Sequence, residues 1–215
     1  MESAPPQPAQ SVSVPGPGDG GRDDQTDRSL AEAFRRGDAE AWQCVVASYG
    51  PRLQRIIGRL LKNASLADDV LQEVFVAAWT HHRRFRGDSQ LMTWLTRIAV
   101  NQCRAKNRQA AGRRRLWSGW LAGRVRQEEQ MPERPEAALD RSESGSDVRR
   151  AVDSLAEEYR EVVVLFYLED MASAEVAETL GLRDSTVRVR LTRARQLLRQ
   201  QLTSLDAKGN NHGRS

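Results

Sequence analysis

The sequence predicts an all-α protein: two small helical domains joined by a flexible linker, the second domain containing a helix-turn-helix. Three observations favour this class. Apolar residues recur at three- and four-residue steps through most of the chain, and no stretch shows the period-two alternation of a strand. Aromatic residues make up only 6% of the 215 residues, which suits thin helical cores.

Composition divides the chain into five segments. Residues 1–27 are predicted to be a disordered N-terminal tail, because a segment rich in Pro, Gly, Ser and Gln buries too little apolar surface to offset its ordering entropy. Residues 28–108 are the first domain, and residues 109–147, punctuated by Gly and Pro, are the linker. Residues 148–205 are the second domain, and residues 206–215 are a second disordered tail.

Helix signals follow one another in the first domain. Asp38 is expected to cap one helix, Pro51 to restart the pattern, and Ser65 to cap the next helix. A loop then leads into a further helix that contains Trp94. The apolar faces that these helices share define one core, formed by Trp42, Val45, Val46, Tyr49, Leu53, Ile56, Ile57, Leu60, Leu61, Val70, Leu71, Val74, Phe75, Ala78, Trp79, Leu91, Trp94, Leu95, Ile98 and Ala99.

The second domain ends in a helix-turn-helix pattern. The residues 173–180 are predicted as a short helix, Gly181 as the start of a tight turn, and residues 185–200 as a longer helix capped by Asp184 or Ser185. Such a motif lays its second helix in the major groove of DNA. Helical hairpins without a DNA function are also common, so the motif alone predicts only that the domain binds DNA.

Charge is sorted along the chain, whose formal net charge is +4. No acidic residue lies between Asp88 and Glu128, where the cations are Arg97, Arg104, Lys106, Arg108, Arg113, Arg114, Arg115, Arg124 and Arg126. The last helix also lacks acids, and three of its arginines are expected to meet phosphates or solvent: Arg190, Arg195 and Arg199. A solvated face is the ordinary explanation of a charge run, but two one-signed helix faces favour phosphate binding.

Other function classes lack the residues that they need. The thiols of Cys44 and Cys103 and the three histidines form no zinc-ligand spacing, so no metal or cofactor is expected. No nucleophile with a base and no phosphate-binding glycine loop occurs, so an enzyme is not expected. No apolar run approaches the roughly 18 residues of a membrane helix, and the N-terminus is unlike a signal peptide. The protein is expected to be cytoplasmic, without membrane insertion.

Two stretches resemble the extracytoplasmic-function (ECF) group of bacterial RNA polymerase sigma factors. The first consists of residues 68–75 (DDVLQEVF), Trp79, residues 85–89 (FRGDS) and residues 93–101 (TWLTRIAVN), and it is similar to the second conserved region of the family. The other runs from LAEEYR at 155–160 to TVRVRLTRAR at 186–195 and is similar to the fourth region.

The resemblance implies an activity and its partners. Members bind core RNA polymerase through the β′ clamp helices and the β flap and direct initiation at promoter DNA. This chain is therefore expected to recognise a −35 element and to melt and capture a −10 element. Its contacts with the clamp helices are expected at Asp69, Gln72 and Glu73. An anti-sigma factor is expected from the habit of the family alone.

The resemblance also assigns DNA contacts. The loop 85–90 corresponds to the site that captures a flipped, single-stranded base, so −10 contacts are expected at Phe85, Asp88, Ser89, Arg97, Asn101 and Arg104. Core packing is the competing interpretation for Phe85 and Trp94. The −35 contacts are expected on the helix 185–200, at Arg188, Val189, Thr192 and Arg193.

The sequence departs from the family pattern in several places. The turn 181–185 lacks the usual Pro and Gly, and Ala172 stands where a Ser commonly caps, which leaves Ser173 as the alternative cap. The −35 sequence cannot be transferred, because the family has polar and aromatic types where Val189 and Thr192 stand. The Arg-rich stretch with tryptophans at 117 and 120 has no family counterpart. It is interpreted either as stacking on single-stranded DNA or as anchoring the linker to the polymerase.

Two rival functions fit part of the sequence. One is a polymerase-independent regulator that uses only the helix-turn-helix, with the first domain as a sensing or dimerising module. The other is a sigma-like adaptor that binds another protein and never initiates transcription. The stretches 68–79 and 85–101 argue against both rivals.

Overall fold

The computed structural model describes residues 24–121 and 143–209, with side chains described for residues 27–113 and 148–203. Over these ranges the chain is helical and contains no strand, so the predicted all-α class is confirmed. The α-helices found there are α1 (Asp24–Arg36), α2 (Ala39–Leu60), α3 (Ala67–Thr80), α4 (Leu91–Leu121), α5 (Glu143–Ser154), α6 (Glu157–Val163), α7 (Ser173–Leu180) and α8 (Asp184–Gly209). Most of the predicted N-terminal tail and the last six residues of the chain lie outside the described residues.

Helices α1–α4 form the first half, in which α2, α3 and α4 pack against one another in pairs. The buried face of α2 includes Val45, Leu53 and Ile56, as the helical spacing predicts. Phe34 of α1 is fully buried, and its ring lies 5.9 Å from the rings of both Trp42 and Trp94. The aromatic cluster around Phe34 therefore ties α1 and α2 to the start of α4.

Helix α2 begins where the sequence predicts but continues beyond the end that Pro51 was expected to mark. The carboxylate of Asp38 accepts hydrogen bonds from the amides of Glu40 (2.9 Å) and Ala41 (3.3 Å), which confirms the predicted cap. The expected restart at Pro51 is wrong, because α2 runs through it. Buried residues on either side of Pro51 lie on one continuous face, and packing of that face outweighs the single backbone hydrogen bond that a proline removes.

The start of α3 also differs from the prediction. A single 3₁₀ turn, Ala64–Leu66, precedes α3, and Ser65 is not its cap. The side chain of Asn63 accepts hydrogen bonds from both the amide (3.1 Å) and the hydroxyl (2.8 Å) of Ser65. The Ser65 hydroxyl is therefore used as a donor within the preceding turn, and α3 begins at Ala67 without a side-chain cap.

Four helices extend beyond the predicted domain limits. The first is α1, which begins at Asp24, inside the predicted N-terminal tail of residues 1–27. Helix α4 continues past residue 108 to Leu121, α5 begins at Glu143 rather than at 148, and α8 continues past 205 to Gly209. Gly112 lowers helix stability by only about 1 kcal/mol relative to alanine. One such residue among Ala, Gln and Arg is too weak a signal to end α4. The remainder of the predicted linker, residues 122–142, lies outside the described residues.

Helices α5–α8 form the second half. Its buried side chains include Val152, Leu155, Val162, Val176 and Val187, and a π-helical turn, Val164–Leu168, continues α6. The two halves pack against each other, since α4 contacts α7 while α2 contacts α6 and the π-helical turn. Buried residues of both halves consequently belong to one apolar cluster.

No helix in the described part of the chain is both long and apolar enough to span a membrane.

Candidate nucleic-acid and protein interfaces

A shallow groove runs between α3 and α4 on the first half. We call it the α3–α4 groove; it is lined by Asp69, Gln72, Glu73, Val76, Ala77, Thr80, His81, Gln102 and Lys106. Asp69 and Gln72 are exposed, and the side chain of Val76 is 65% exposed. The three residues expected to contact polymerase thus share one surface, which also offers an apolar side chain to a partner.

Glu73 is the member of the groove with a fixed partner. Lys106 of α4 lies 2.6 Å from its carboxylate, and the Glu73 side chain is 42% exposed. The pair holds α3 against α4 at the floor of the groove. Because the pair is accessible to solvent, its net contribution to stability is small, about 0–1 kcal/mol.

The loop between α3 and α4 contains three of the expected −10 residues, Phe85, Asp88 and Ser89. Gly87 has φ of +81°, a left-handed conformation in which glycine is favoured, and it turns the chain so that Asp88 and Gln90 are exposed and Ser89 is half-buried. Asn101 is exposed on α4. The loop and this part of α4 are therefore accessible to a ligand.

Phe85 does not share that exposure. Its side chain is 2% exposed, and its ring packs 5.6 Å from the ring of Trp94 and 6.4 Å from that of Phe34. The core-packing interpretation therefore holds for Phe85 in this arrangement, and a base could not stack on its ring without movement of the core. Trp94 is half-buried and is part of the same cluster. The rings of Phe85 and Trp94 thus belong to the core on which the loop rests.

Two arginines of the expected −10 set are engaged by the second half. Arg104 donates two hydrogen bonds of 2.6 Å to the two carboxylate oxygens of Glu161 on α6. These hydrogen bonds raise the pKa of the Arg104 guanidinium, against the opposing effect of its burial. Arg97 donates to the backbone carbonyl of Glu178, in the last turn of α7. Both cations thus face oxygen atoms of the same chain.

A second cluster joins the halves and was not found by sequence reasoning. The carboxylate of Glu169, whose side chain is 2% exposed, lies 2.7 Å from Arg59, 3.3 Å from Arg52 and 4.0 Å from Arg55, all on α2. Arg59 also donates to the carbonyl of Leu168, and Arg52 to that of Glu169. The spacing of the three arginines along one helix was visible in the sequence. Their partner could not be identified from it, because Glu169 lies more than 100 residues away in the chain.

Cys103 is buried next to Arg104 in the sequence of α4. Its side chain is 1% exposed, and burial, together with the nearby carboxylates of Glu161 and Glu157, raises the pKa of the thiol to about 12. A free cysteine buried in this way packs as a small apolar residue. Cys44 is half-buried, and both thiols are free.

The helix-turn-helix is formed by α7, a short turn and α8. Gly181 ends α7 in a left-handed conformation, with φ of +67°. Ser173, the alternative cap, is instead the first residue of α7, and the amide of Ala172 donates to the Glu175 carboxylate at 2.8 Å. Glu175 therefore satisfies this end of the helix without the serine, which is why the departure at Ala172 is tolerated.

Helix α8 presents the four expected −35 residues on one open surface. With Gln196, these residues line a shallow depression: Arg188, Val189, Thr192 and Arg193. All four are exposed, and the side chain of Val189 is 69% exposed. Arg188 lies 2.8 Å from Asp184 one turn earlier. The opposite face of α8 packs on α6 and α7 through Val187, Leu191 and Ala194.

The remaining arginines of α8 differ from one another. Arg190 pairs with Glu158 of α6 at 3.1 Å, rather than remaining free for phosphate as the sequence led us to expect. Arg195 donates to the Thr192 hydroxyl, and Arg199 is exposed. Among the described residues, no group of His, Cys, Asp and Glu side chains could hold a metal ion.

Family models match both halves of the chain. The model described as Sigma-70 region 2 matches residues 45–113, and the model described as Sigma-70, region 4 matches residues 146–198. The RNA polymerase sigma-H factor of Pseudomonas aeruginosa is 34% identical over 84% of this chain and 96% of its own length. The ECF RNA polymerase sigma-E factor of Escherichia coli is 32% identical, with the same coverage of each chain.

Solved structures share the fold. CnrH, solved in complex with the cytosolic domain of CnrY, is 29% identical, with a TM-score of 0.59 over 83% of this chain and 97% of that chain. The sigma factor RpoE of Bartonella quintana, solved with the anti-sigma factor NepR, has the same TM-score at 22% identity, over 77% of this chain and 98% of that one.

Proposed function

The chain belongs to the ECF group of bacterial RNA polymerase sigma factors, and from that premise we propose how its surfaces divide the work of initiation. A sigma factor directs transcription initiation. In this proposal the first half docks on core polymerase and holds the melted −10 element, while the second half binds duplex −35 DNA. No step is covalent, so the cytoplasmic protein acts only by binding and positioning.

Polymerase docking is assigned to the α3–α4 groove. Exposed polar side chains at Asp69 and Gln72 surround the exposed Val76, a combination that gives a partner helix both hydrogen bonds and apolar contact. Glu73 contributes through the carboxylate oxygen to which Lys106 does not donate. We propose that the β′ clamp helices occupy this groove and that the β flap contacts the second half.

The −10 element is assigned to the loop after α3 and to the adjacent face of α4. A flipped base needs a pocket and nearby positive charge to compensate for the lost stacking. Asp88, Ser89 and Asn101 offer polar edges. Arg97 and Arg104 would offer the charge after exchanging their contacts with Glu178 and Glu161 for DNA. Phe85 is assigned a supporting role beneath the loop, because its ring is buried.

The −35 element is assigned to the exposed face of α8. Arg188 and Arg193 lie about one and two and a half turns from the start of the helix, in the N-terminal half with which a major-groove helix meets base edges. Arginine is the commonest specific partner of guanine. Val189 and Thr192, between the arginines, offer apolar and methyl contacts to a thymine methyl group.

The observation that carries the proposal is the presence of the α3–α4 groove and an open helix-turn-helix in one chain. A regulator that acts without polymerase requires only the second feature. As the resemblance leads one to expect, we also propose a protein regulator of the anti-sigma kind. CnrH, one of the similar structures, was solved with a bound partner domain.

The test is run-off transcription with purified core polymerase and promoter fragments from the same genome. The proposal requires that the chain bind core enzyme and produce discrete transcripts that core enzyme alone does not produce. DNA binding by the chain without polymerase binding would support the independent regulator instead. Polymerase binding without initiation would support the adaptor.

A further inference from the structure

We propose that Asp184 is a specificity-determining residue of the exposed face of α8 and that it acts through Arg188. Its carboxylate holds the Arg188 guanidinium in place for a base edge and offsets the attraction of that cation for phosphate. The proposal rests on the −35 role proposed for α8. It adds a division of labour, in which Arg188 selects a sequence while Arg193 also attracts DNA of any sequence.

Asp184 and Arg188 form an ion pair one helical turn apart. The guanidinium nitrogen Nη2 lies 2.8 Å from the carboxylate oxygen Oδ2, and the Arg188 side chain is 72% exposed. Asp184 is the first residue of α8. The pair therefore lies at the N-terminal end of α8, the part of a recognition helix that contacts base edges.

The second carboxylate oxygen fixes the orientation of Asp184. Its Oδ1 atom is buried and has no hydrogen-bond partner within the described part of the chain, whereas Oδ2 faces Arg188. A carboxylate with one oxygen already withdrawn from water depends more strongly on the partner that remains. Asp184 is therefore expected to keep its contact with Arg188 when DNA binds.

A paired Arg188 can still read a base. A guanidinium carries five N–H donors, and the contact with Asp184 uses one of its nitrogens. Guanine accepts two parallel hydrogen bonds, at O6 and N7, which the remaining donors can supply. A guanidinium that is already held loses less side-chain entropy on binding. The pair thus preserves the directional contact with a base.

Phosphate binding responds differently, because it depends more on charge than on direction. The carboxylate of Asp184 offsets the charge of Arg188 as seen from a distance, and it repels a phosphate that approaches the pair. Binding that is independent of sequence comes from the neutralisation of phosphates by cations. Arg188 is therefore expected to contribute little to the binding of DNA of arbitrary sequence.

Arg193 provides the contrast on the same face. Both arginines line one shallow depression. Nη1 of Arg193 donates to the amide oxygen of Gln196 at 3.3 Å, and an amide carries no net charge that could offset the cation. Arg193 therefore keeps its attraction for phosphate in addition to its contact with a base.

The test compares two duplexes that bind the full-length chain, followed by fluorescence anisotropy at several salt concentrations. One duplex is the upstream part of a promoter on which the wild-type holoenzyme initiates, and the other is a scrambled duplex of the same composition. Asp184→Asn is expected to bind the scrambled duplex about fivefold more tightly at about 0.15 M salt, with a log–log salt slope steeper by about 0.9, because Arg188 can then neutralise one phosphate. Affinity for the promoter duplex should not rise, so the ratio of the two affinities falls about fivefold.

Glu178→Gln is the matched control. It removes one negative charge from an exposed position on α7 and leaves the ion pair of Asp184 and Arg188 in place. A general change of charge strengthens the binding of both duplexes alike, so this variant should keep the wild-type ratio. Asp184→Glu keeps the charge and should keep the wild-type salt slope.

A double-mutant cycle tests whether Asp184 acts through Arg188. In an Arg188→Ala background, Asp184→Asn should no longer lower the ratio of affinities, whereas in an Arg193→Ala background the fall should persist. The single variants test the division of labour even if Asp184→Asn does not fold, which circular dichroism would reveal. Arg188→Ala should leave the salt slope for the scrambled duplex unchanged, and Arg193→Ala should reduce it by about 0.9.

The outcomes distinguish this proposal from the −35 role itself. A wild-type chain that binds both duplexes equally overturns the −35 role of α8 and the present proposal with it. A wild-type preference for the promoter duplex, combined with an unchanged ratio in Asp184→Asn, overturns only the role of Asp184. A fall in the ratio that persists in the Arg188→Ala background overturns it as well, since Asp184 would then act without the arginine.

Discussion

Asn107 of α4 donates a hydrogen bond of 2.9 Å to the carboxylate of Glu157 on α6, across the boundary between the two halves. The same amide group donates to the carbonyl of Leu60, and its oxygen accepts from the amide of Lys62. One buried side chain therefore satisfies the C-terminal end of α2 and also joins α4 to the second half.

Replacement of Asn107 by alanine is expected to lower the free energy of unfolding by about 3 kcal/mol. Three hydrogen bonds are lost, each with a net value of about 1 kcal/mol, and buried partners are left unsatisfied. Urea unfolding followed by circular dichroism measures the change. Asn101→Ala is the matched control, since Asn101 is an exposed amide on the same helix and its loss should cost less than about 0.5 kcal/mol. Equal losses at both positions would contradict the role assigned to Asn107.

Nothing in the sequence distinguishes Asn107 from Asn101. Both are asparagines in one long basic helix, and only the packing of α2 and α6 gives one of them three partners. The faces of α2 and α3 could be predicted, because helical periodicity alone decides which residues a helix buries. The cap at Asp38 could also be predicted, because its two partners, the amides of Glu40 and Ala41, lie within the next three residues. The role of Ser65 could not be predicted, because its hydroxyl donates to the side chain of Asn63 instead of capping α3.

The contacts between the halves show where sequence reasoning ends. The sequence does show arginines collected on the first half and carboxylates on the second before α8. That sorting is compatible with two faces that attract each other and also with one face that binds nucleic acid. The partnership of Arg52 and Arg59 with Glu169 depends on how two domains dock, which no local pattern specifies.

The titration of Cys103 predicts a loss of stability at alkaline pH. The pKa of its thiol is about 12 in the folded chain, against an ordinary value of 9.0. The folded state therefore retains a proton that the unfolded chain releases. The stabilising contribution is complete below pH 9 and is lost as the pH rises toward 12, with a slope of about 1.4 kcal/mol per pH unit.

Urea unfolding at a series of pH values between about 8 and 11 tests this expectation, because the range begins about one unit below the ordinary pKa of the thiol and ends about one unit below its pKa in the folded chain. Because lysines and tyrosines also titrate there, the informative quantity is the difference between the wild-type chain and Cys103→Ala. That difference should shift steadily against the wild-type chain above about pH 9. A pH-independent difference would mean that the thiol titrates normally in the folded protein.

Two arginines of α8 are expected to read the −35 element. Arg188→Ala and Arg193→Ala should each weaken binding of the holoenzyme to its promoter by about 1–3 kcal/mol, because a bidentate contact with a base is lost. Arg199→Ala removes the same charge further along α8 and should affect promoter and random duplexes alike. Competition binding against a random duplex measures both effects. If Arg188→Ala weakened promoter and random duplex equally, the contact would be to phosphate alone.

Val76 provides the sharpest test of the docking surface, because its exposure separates binding from folding. Its side chain is 65% exposed in the α3–α4 groove, so Val76→Glu should leave the melting temperature almost unchanged. Burial of a valine against a partner contributes about 1.5–3 kcal/mol, and a carboxylate placed there would also have to be desolvated. Affinity for core polymerase should therefore fall at least about tenfold.

Val148→Glu is the control for that substitution. Val148 is also exposed, at 46%, but it lies on α5 and outside the groove. Both variants add the same charge to an exposed valine, so a general electrostatic effect on polymerase binding would appear in both. Titration of fluorescently labelled variants with core enzyme gives the two dissociation constants. A loss confined to Val76→Glu assigns polymerase docking to the groove, whereas equal affinities would remove the groove from the interface.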